Sequence, residues 1–425
     1  KMSIFSRAVY YEPEQSTQSI SYPIFMSANY QYADDLYDQV VDGARRDVNI
    51  YSRCGNPNEY KLDDQMAELH GADSALSVAS GMAAISHTIF GLLKVGDHIV
   101  VDLTTYSSTH EFFDHRIQDF GITVTFVDST DVDAVAAAIA ENTKAIYVET
   151  IANPTMKVAP LRALSELAHS RGLVLICDNT FASPAVCRPH EFGVDIVVES
   201  ATKFIGGHND AVGGVITLRS DILPADWLEQ VRWGTLTKLG GALSPFNAWL
   251  LLRGIQTLPL RVERMTENAK ALVAWLEQHP AVHRIFYPGH SSHPQFDLAA
   301  EMFDSSGAML TFSVGSGEEA AAVCKGLKLA SFAASLGGVR TVTQIPATMA
   351  FLDISEEERL EMGITQGMIR VSVGIENAQD LINDFAQALA AASEGATGAD
   401  GAADEAGAGA GDADDLLTDL APALG

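Results

Sequence analysis

Between residues 98 and 200 the chain repeats one pattern, a short β-branched apolar run followed by a stretch with helical spacing. The runs are HIVVD (98–102), ITVTFV (122–127), AIYVET (145–150), LVLICDNT (173–180) and DIVVES (195–200). Each is apolar at nearly every position, which predicts strands buried on both faces. Between them, residues 131–140 and 160–172 carry apolar side chains at helical spacing, the second stretch with Pro160 at its first turn and Gly172 at its end. Alternating strand and helix predicts an α/β fold, a mostly parallel sheet sandwiched by helices.

Ligands of such sheets bind beyond the carboxyl ends of the strands. Glu149, Asp178, Ser200, Thr202 and Lys203 all follow apolar runs and so emerge on one edge. A lysine in a partly desolvated crevice loses part of its preference for the charged form and becomes a nucleophilic amine, which is what a Schiff base with an aldehyde requires. An aspartate on the same edge holds a heteroaromatic ring nitrogen protonated. Lys203 and Asp178 together suggest pyridoxal 5'-phosphate (PLP). For its phosphate, Ser80 and Gly81 stand at a predicted helix start, where free N–H groups favour an anion, and Ser200 and Thr202 add hydroxyls. Taken singly, Lys203 reads as a surface residue and Asp178–Asn179 as a turn; their convergence on one edge favours the functional reading.

Composition narrows the partners. A formal charge of -28 argues against nucleic acid and anionic membranes, both of which need clustered Lys and Arg. A small molecule is the expected partner. The four cysteines, Cys54, Cys177, Cys187 and Cys324, form no C-x-x-C pair and read as reduced thiols. Neither a membrane-spanning run nor the apolar stretch of a secretory signal stands out, so a cytoplasmic location is expected. Residues 393–425 are mostly Ala, Gly, Asp and Glu, a composition that cannot bury a core and predicts a disordered acidic tail.

The segments YSRCGNPNEYKLDDQMAELHGADSALSVASGMAAI, YVETIANPTMKVAPL, LVLICDNTFASP, ESATKFIGGHND, SLGGVRTV and GMIRVSVGIENAQDLI resemble, in order, the motifs of the Cys/Met-metabolism family of PLP enzymes. That family includes cystathionine γ-synthase, cystathionine γ-lyase, methionine γ-lyase and O-acetylhomoserine sulfhydrylase. The resemblance implies the type I PLP-dependent transferase fold (aspartate-aminotransferase-like) with a smaller α+β C-terminal domain. It divides the chain into an N-terminal arm (1–50), a PLP-binding large domain (51–245), a small domain (246–392) and the tail (393–425). Lys203 is implied to hold PLP covalently and then carry protons, Asp178 to pair with the pyridine nitrogen, and Tyr106 to stack on the ring and assist departure of the γ-substituent. Gly81, Met82, Ser200 and Thr202 match the phosphate cradle. Tyr51 and Arg53 match residues that reach the phosphate in the neighbouring subunit, which makes a homodimer the minimal active unit and a homotetramer the expected assembly. Arg370 matches the clamp for the substrate α-carboxylate, with Ser335 and Asn153 beside it. No metal is implied.

The implied reaction is α,γ-elimination from a sulfur amino acid to a 2-oxo acid, ammonia and a thiol. The alternative is γ-replacement on an activated homoserine ester. Pocket residues divide the signal: Ser108 stands where methionine γ-lyases carry cysteine, Arg340 where cystathionine enzymes carry glutamate, and Ile345 where histidine is usual. Arg340 reads equally as a reader of the substrate's distal end or as a solvated loop charge. Two other signals compete. Gly315–Ala320 fits G-x-G-x-x-A, but Glu318 and Glu319 would meet a pyrophosphate, so a plain strand-to-helix turn is expected. His279, His283, His290 and His293 cluster in one loop, read as structural with no zinc.

Overall fold

The computed structural model describes residues 2–32, 34–41 and 48–400. Two sheets organise them. The larger is built from β1 (Ser74–Val78), β2 (His98–Asp102), β3 (Thr123–Val127), β4 (Thr143–Glu149), β5 (Val174–Asp178), β6 (Ile196–Glu199) and β7 (Gly214–Leu218), in the order β1-β7-β6-β5-β4-β2-β3. Pairing is parallel from β6 through β3 and antiparallel where β7 meets β6 and β1. The smaller sheet holds β8 (Arg284–Phe286), β9 (Met309–Ser313), β10 (Ser331–Phe332), β11 (Val342–Gln344) and β12 (Met368–Ser372), in the order β10-β11-β12-β9-β8.

Strand periodicity explains the two-sided core. Val100, Ile146, Val148, Leu175 and Val197 pack into one apolar cluster, while their neighbours Ile99, Val101, Tyr147, Ile176 and Val198 pack into another. Successive side chains point to opposite faces, and full burial of each such aliphatic residue contributes about 1.5–3 kcal/mol. The expectation of burial on both faces fails at β3. Thr123 and Thr125 are exposed because β3 is the last strand of the sheet and only β2 flanks it. A third cluster, with Leu310, Phe312, Ile369, Val371, Phe385 and Leu389, forms the core behind the smaller sheet.

Local signals fix the element ends. Asn56 caps the helix Pro57–His70, which has proline in its first turn and stops at Gly71 in the left-handed conformation (φ 63°). The Gly315–Ala320 segment is a strand-to-helix turn: β9 ends at Ser313, Ser316 caps the helix Gly317–Gly326, and Glu319 accepts the Gly315 N–H at 2.9 Å. The last helix runs Ala378–Asp400, so the backbone stays helical into the segment expected to be disordered. The rest of that tail, 401–425, lies outside the described residues.

The sheets meet along a tight seam. Val339 N–H donates to Gly207 O at 3.0 Å, and a Cβ on Gly337 (φ 77°) would stand 2.6 Å from the Phe204 nitrogen. Residue 337 must therefore be glycine for this backbone contact. Among the described residues no helix is long and apolar enough to cross a membrane.

Candidate active site

A cavity of about 530 Å³ opens at the carboxyl edge of the large sheet, against the seam. Register explains its floor: Glu149 and Asp178 are paired neighbours at the ends of β4 and β5. Both line the cavity. Asp178 accepts the Thr180 N–H at 2.9 Å, and the Tyr147 hydroxyl lies 3.4 Å from its other oxygen. Burial, offset in part by the hydrogen bonds from Thr180, raises its pKa to about 6. Glu149 is also pushed well up by burial and by Asp178, although it accepts N–H bonds from Tyr106 (2.6 Å) and Asn153 (3.2 Å). Its role is to tether the Tyr106 and Asn153 backbones to the sheet edge.

Lys203 stands in the turn after β6. That turn is held by Arg261, whose guanidinium donates to the carbonyl oxygens of Phe204 and Gly254, each at 2.8 Å. Lys203 Nζ donates to Ser335 Oγ at 3.0 Å. Burial first, and the nearby Arg370 second, lower its pKa to about 8. At ordinary pH far more of it is neutral than of a free lysine, which suits it to act as a nucleophile.

Arg370 on β12 faces the same space. It is 4% exposed, donates to Asn153 Oδ1 at 3.1 Å and to Ser335 O at 3.0 Å, and has no carboxylate at ion-pair distance among the described residues. Burial lowers its pKa to about 10. Ser335, held at φ 78°, thus touches both cations, its hydroxyl on Lys203 and its carbonyl on Arg370.

Opposite them, Ser80 caps the helix Gly81–Leu92 by accepting the Ala83 N–H at 3.0 Å. A Cβ on Gly81 would stand 2.7 Å from the Ser200 Cβ, so glycine is what leaves room between the helix N-terminus and Ser200. Thr202 Oγ is bonded to Gly213 on both sides, accepting its N–H (3.1 Å) and donating to its carbonyl (3.3 Å). Gly81, Met82, Tyr106, Asn153, Asp178, Ser200, Thr202, Lys203, Ser335 and Arg370 are thereby gathered around one cavity, as is Ser108. An amine nucleophile, an anion cradle at a helix N-terminus, a buried carboxylate and a buried arginine free of acid make a donor set that fits PLP and an amino-acid carboxylate.

Other expected residues lie elsewhere. Tyr51 is 44% exposed and Arg53 donates to Thr237 O at 2.6 Å, its guanidinium 5.3 Å from the Tyr51 ring centroid. Neither lines the cavity of its own chain. Arg340 is exposed and also outside it, while Ile345 is buried in the core of the smaller sheet. His293 donates to the Met156 carbonyl at 2.8 Å and His290 lies 3.3 Å from Glu277. Among the described residues, no group of three or more His, Cys, Asp or Glu side chains is placed to hold a metal ion. Sequence reasoning missed Tyr147 as a partner of Asp178 and Gln344 as a cavity residue. Both are invisible to periodicity, since Tyr147 reads simply as part of an apolar run.

Similarity to known proteins agrees with this arrangement. The profile of the Cys/Met metabolism PLP-dependent enzymes matches residues 7–390. An L-methionine gamma-lyase of Fusobacterium nucleatum subsp. nucleatum is 39% identical over 368 residues, 85% of this chain and 92% of its own. A cystathionine gamma-lyase of Bacillus subtilis is 40% identical over 376 residues, 88% and 96% of the two chains. A solved Campylobacter jejuni structure, given as an O-acetylhomoserine (thiol)-lyase with N'-pyridoxyl-lysine-5'-monophosphate, superposes with a TM-score of 0.87 at 31% identity, covering 92% of this chain and all of that one. The chain belongs to the Cys/Met metabolism PLP-dependent enzyme family.

Proposed function

We propose that this enzyme is a carbon–sulfur lyase that catalyses α,γ-elimination from a sulfur amino acid (methionine, cystathionine or homocysteine), releasing a 2-oxo acid, ammonia and a thiol. The observation that carries it is the pairing of Lys203, its amine pushed down to about pH 8, with an acid-free buried Arg370 across one serine. A substrate carboxylate at Arg370 would place Cα beside the amine. The lyase names of the F. nucleatum and B. subtilis relatives support the direction of the chemistry.

When bound, PLP supplies the electron sink that stabilises negative charge at Cα. Lys203 holds the cofactor, takes the proton from Cα, and delivers protons along the substrate. Asp178 would hold the ring nitrogen protonated by pairing with it. Gly81, Met82, Ser200 and Thr202 hold the phosphate. Tyr106, fixed through its N–H on Glu149, would stack on the ring and assist the leaving group. Asn153 and Ser335 keep Arg370 aimed at the carboxylate. Tyr51 and Arg53, exposed and away from their own cavity, serve a neighbouring subunit, so the active unit is a homodimer, assembling further to a homotetramer in the cytoplasm.

The test is release of 2-oxobutanoate from L-methionine, L-cystathionine and O-acetyl-L-homoserine, each with and without sulfide or cysteine. Elimination predicts 2-oxo acid from a thioether with no added nucleophile. Reaction of the homoserine ester alone, diverted by a thiol to a new thioether or by sulfide to homocysteine, would instead establish γ-replacement, the reading favoured by the C. jejuni likeness.

A further inference from the structure

One wall of the cavity is a strap running from Gln344 to Ile354. Gln344 lies directly across from Arg370 in the β11–β12 pairing, so both side chains leave the same face. It is 6% exposed, and its Oε1 is buried without a hydrogen-bond partner. A buried amide oxygen left unpaired is costly, and one that lines a cavity is satisfied by what enters it. Beyond Gln344 the strap brings Met349, Ala350 and Phe351 to the cavity, then Asp353, with Ile354 after it. Glu111, at the end of the helix Ser107–Glu111 that starts beside Tyr106, lines the cavity too. The carboxylates of Asp353 and Glu111 carry no ion pair among the described residues, and the cations lining the cavity, Lys203 and Arg370, are both engaged with Ser335. Arg340 is exposed and not part of the lining.

Read along the strap, the wall offers an orphaned acceptor beside the carboxylate clamp, an apolar stretch, and an acid. That sequence matches an amino acid held at its α-carboxylate, running through methylenes and a thioether sulfur, and ending in a positively charged amine. Resting on the elimination reading above, we propose that Asp353 and Glu111 are specificity-determining residues that favour substrates whose leaving thiol carries a primary ammonium group, and that Gln344 accepts a hydrogen bond from the bound substrate. The reaction stays balanced without a further reactant: the thioether and water give 2-oxobutanoate, ammonia and the amino-thiol, the Cγ–S bond breaking as a proton reaches sulfur.

Three near-isosteric probes isolate the distal charge: S-(2-aminoethyl)-, S-propyl- and S-(carboxymethyl)-L-homocysteine, compared by kcat/KM for 2-oxobutanoate release from the holoenzyme. The expected order is ammonium over propyl by about fivefold, as for solvent-accessible charge pairs, with the carboxylate poorest. In the Asp353→Asn, Glu111→Gln double variant the ammonium-to-propyl ratio falls to about 1, and in Asp353→Lys the carboxymethyl probe overtakes the aminoethyl one. High salt lowers the wild-type ratio. Gln344→Leu raises KM for all three probes. Equal kcat/KM for the three probes in the wild type, or a ratio unchanged in the double variant, overturns the charge assignment while leaving elimination intact. An unchanged KM in Gln344→Leu overturns the role of the amide. No 2-oxobutanoate from any thioether overturns the elimination reading itself.

Discussion

Two buried arginines divide the molecule into a part that holds itself together and a part that waits for something. Arg232 is 1% exposed and donates to Glu59 at 2.5 Å and Asp63 at 2.9 Å, with Glu229 at 3.4 Å and the Tyr60 ring 5.0 Å from its guanidinium carbon. Burial works against its charge, but these carboxylates more than offset it and hold its pKa above the ordinary value. Arg370 is nearly as buried, yet it has only neutral acceptors and its pKa falls. Arg261 shows that burial without acid is not enough to mark a site. It too is lowered to about 10, but carbonyl oxygens and the Thr257 hydroxyl occupy its donors and it stands outside the active-site cavity. A buried cation signals a ligand when its counterion is missing and open space lies before it.

The contrast is broken or sharpened most strongly by deleting the Arg232 side chain's charge. Arg232→Met leaves Glu59 and Asp63 buried without a cation and is expected to cost about 3–5 kcal/mol of stability, read as a lower denaturant midpoint. Arg370→Met removes a buried charge that has no acid to orphan, so its midpoint should hold or rise, while kcat/KM falls by about 30- to 1,000-fold for a loss of roughly 2–4 kcal/mol of carboxylate binding. Equal destabilisation by the two variants would erase the distinction.

Smaller still is the effect of Arg370 on its neighbour. In cofactor-stripped enzyme Lys203 titrates near 8 when folded, against 10.5 for the ordinary amine. Below pH 8 the amine is charged in both states and its burial penalty is fully present. Between 8 and 10.5 the unfolded chain binds the proton the folded chain has lost, so stability rises with pH, by about 1–3 kcal/mol across the window. Urea midpoints measured from pH 7 to 11 should show that rise, and Lys203→Met should abolish its Lys203 component. Arg370→Met, by removing the second cause of the shift, should raise the pH at which the rise begins.

Much of this was legible before any coordinates. The apolar runs at 98–102, 145–150, 173–180 and 195–200 became β2, β4, β5 and β6, and the rule about strand ends was enough to bring Glu149, Asp178, Ser200 and Lys203 to one edge. What stayed hidden depends on contacts between distant segments. Arg232 meets its acids across 173 and 169 residues, and Gln344 becomes a cavity residue only through its pairing with Arg370. The edge position of β3 is likewise a property of strand order, which no single run encodes. Tyr51 and Arg53 stayed unplaced for a further reason: the site they are proposed to serve would belong to a second subunit, which one chain does not contain.

The glycine-tight seam between the sheets has an evolutionary corollary. Where backbone presses on backbone, as at Gly337 against Phe204, almost no substitution is tolerated, and the seam carries Ser335 between the two cations. The strap from Gln344 to Ile354 bears no such constraint at Asp353, whose side chain is exposed. Geometry thus leaves the seam little room to vary, while exposed positions such as Asp353 on the strap and Glu111 beyond it can change without disturbing the backbone that carries the two cations.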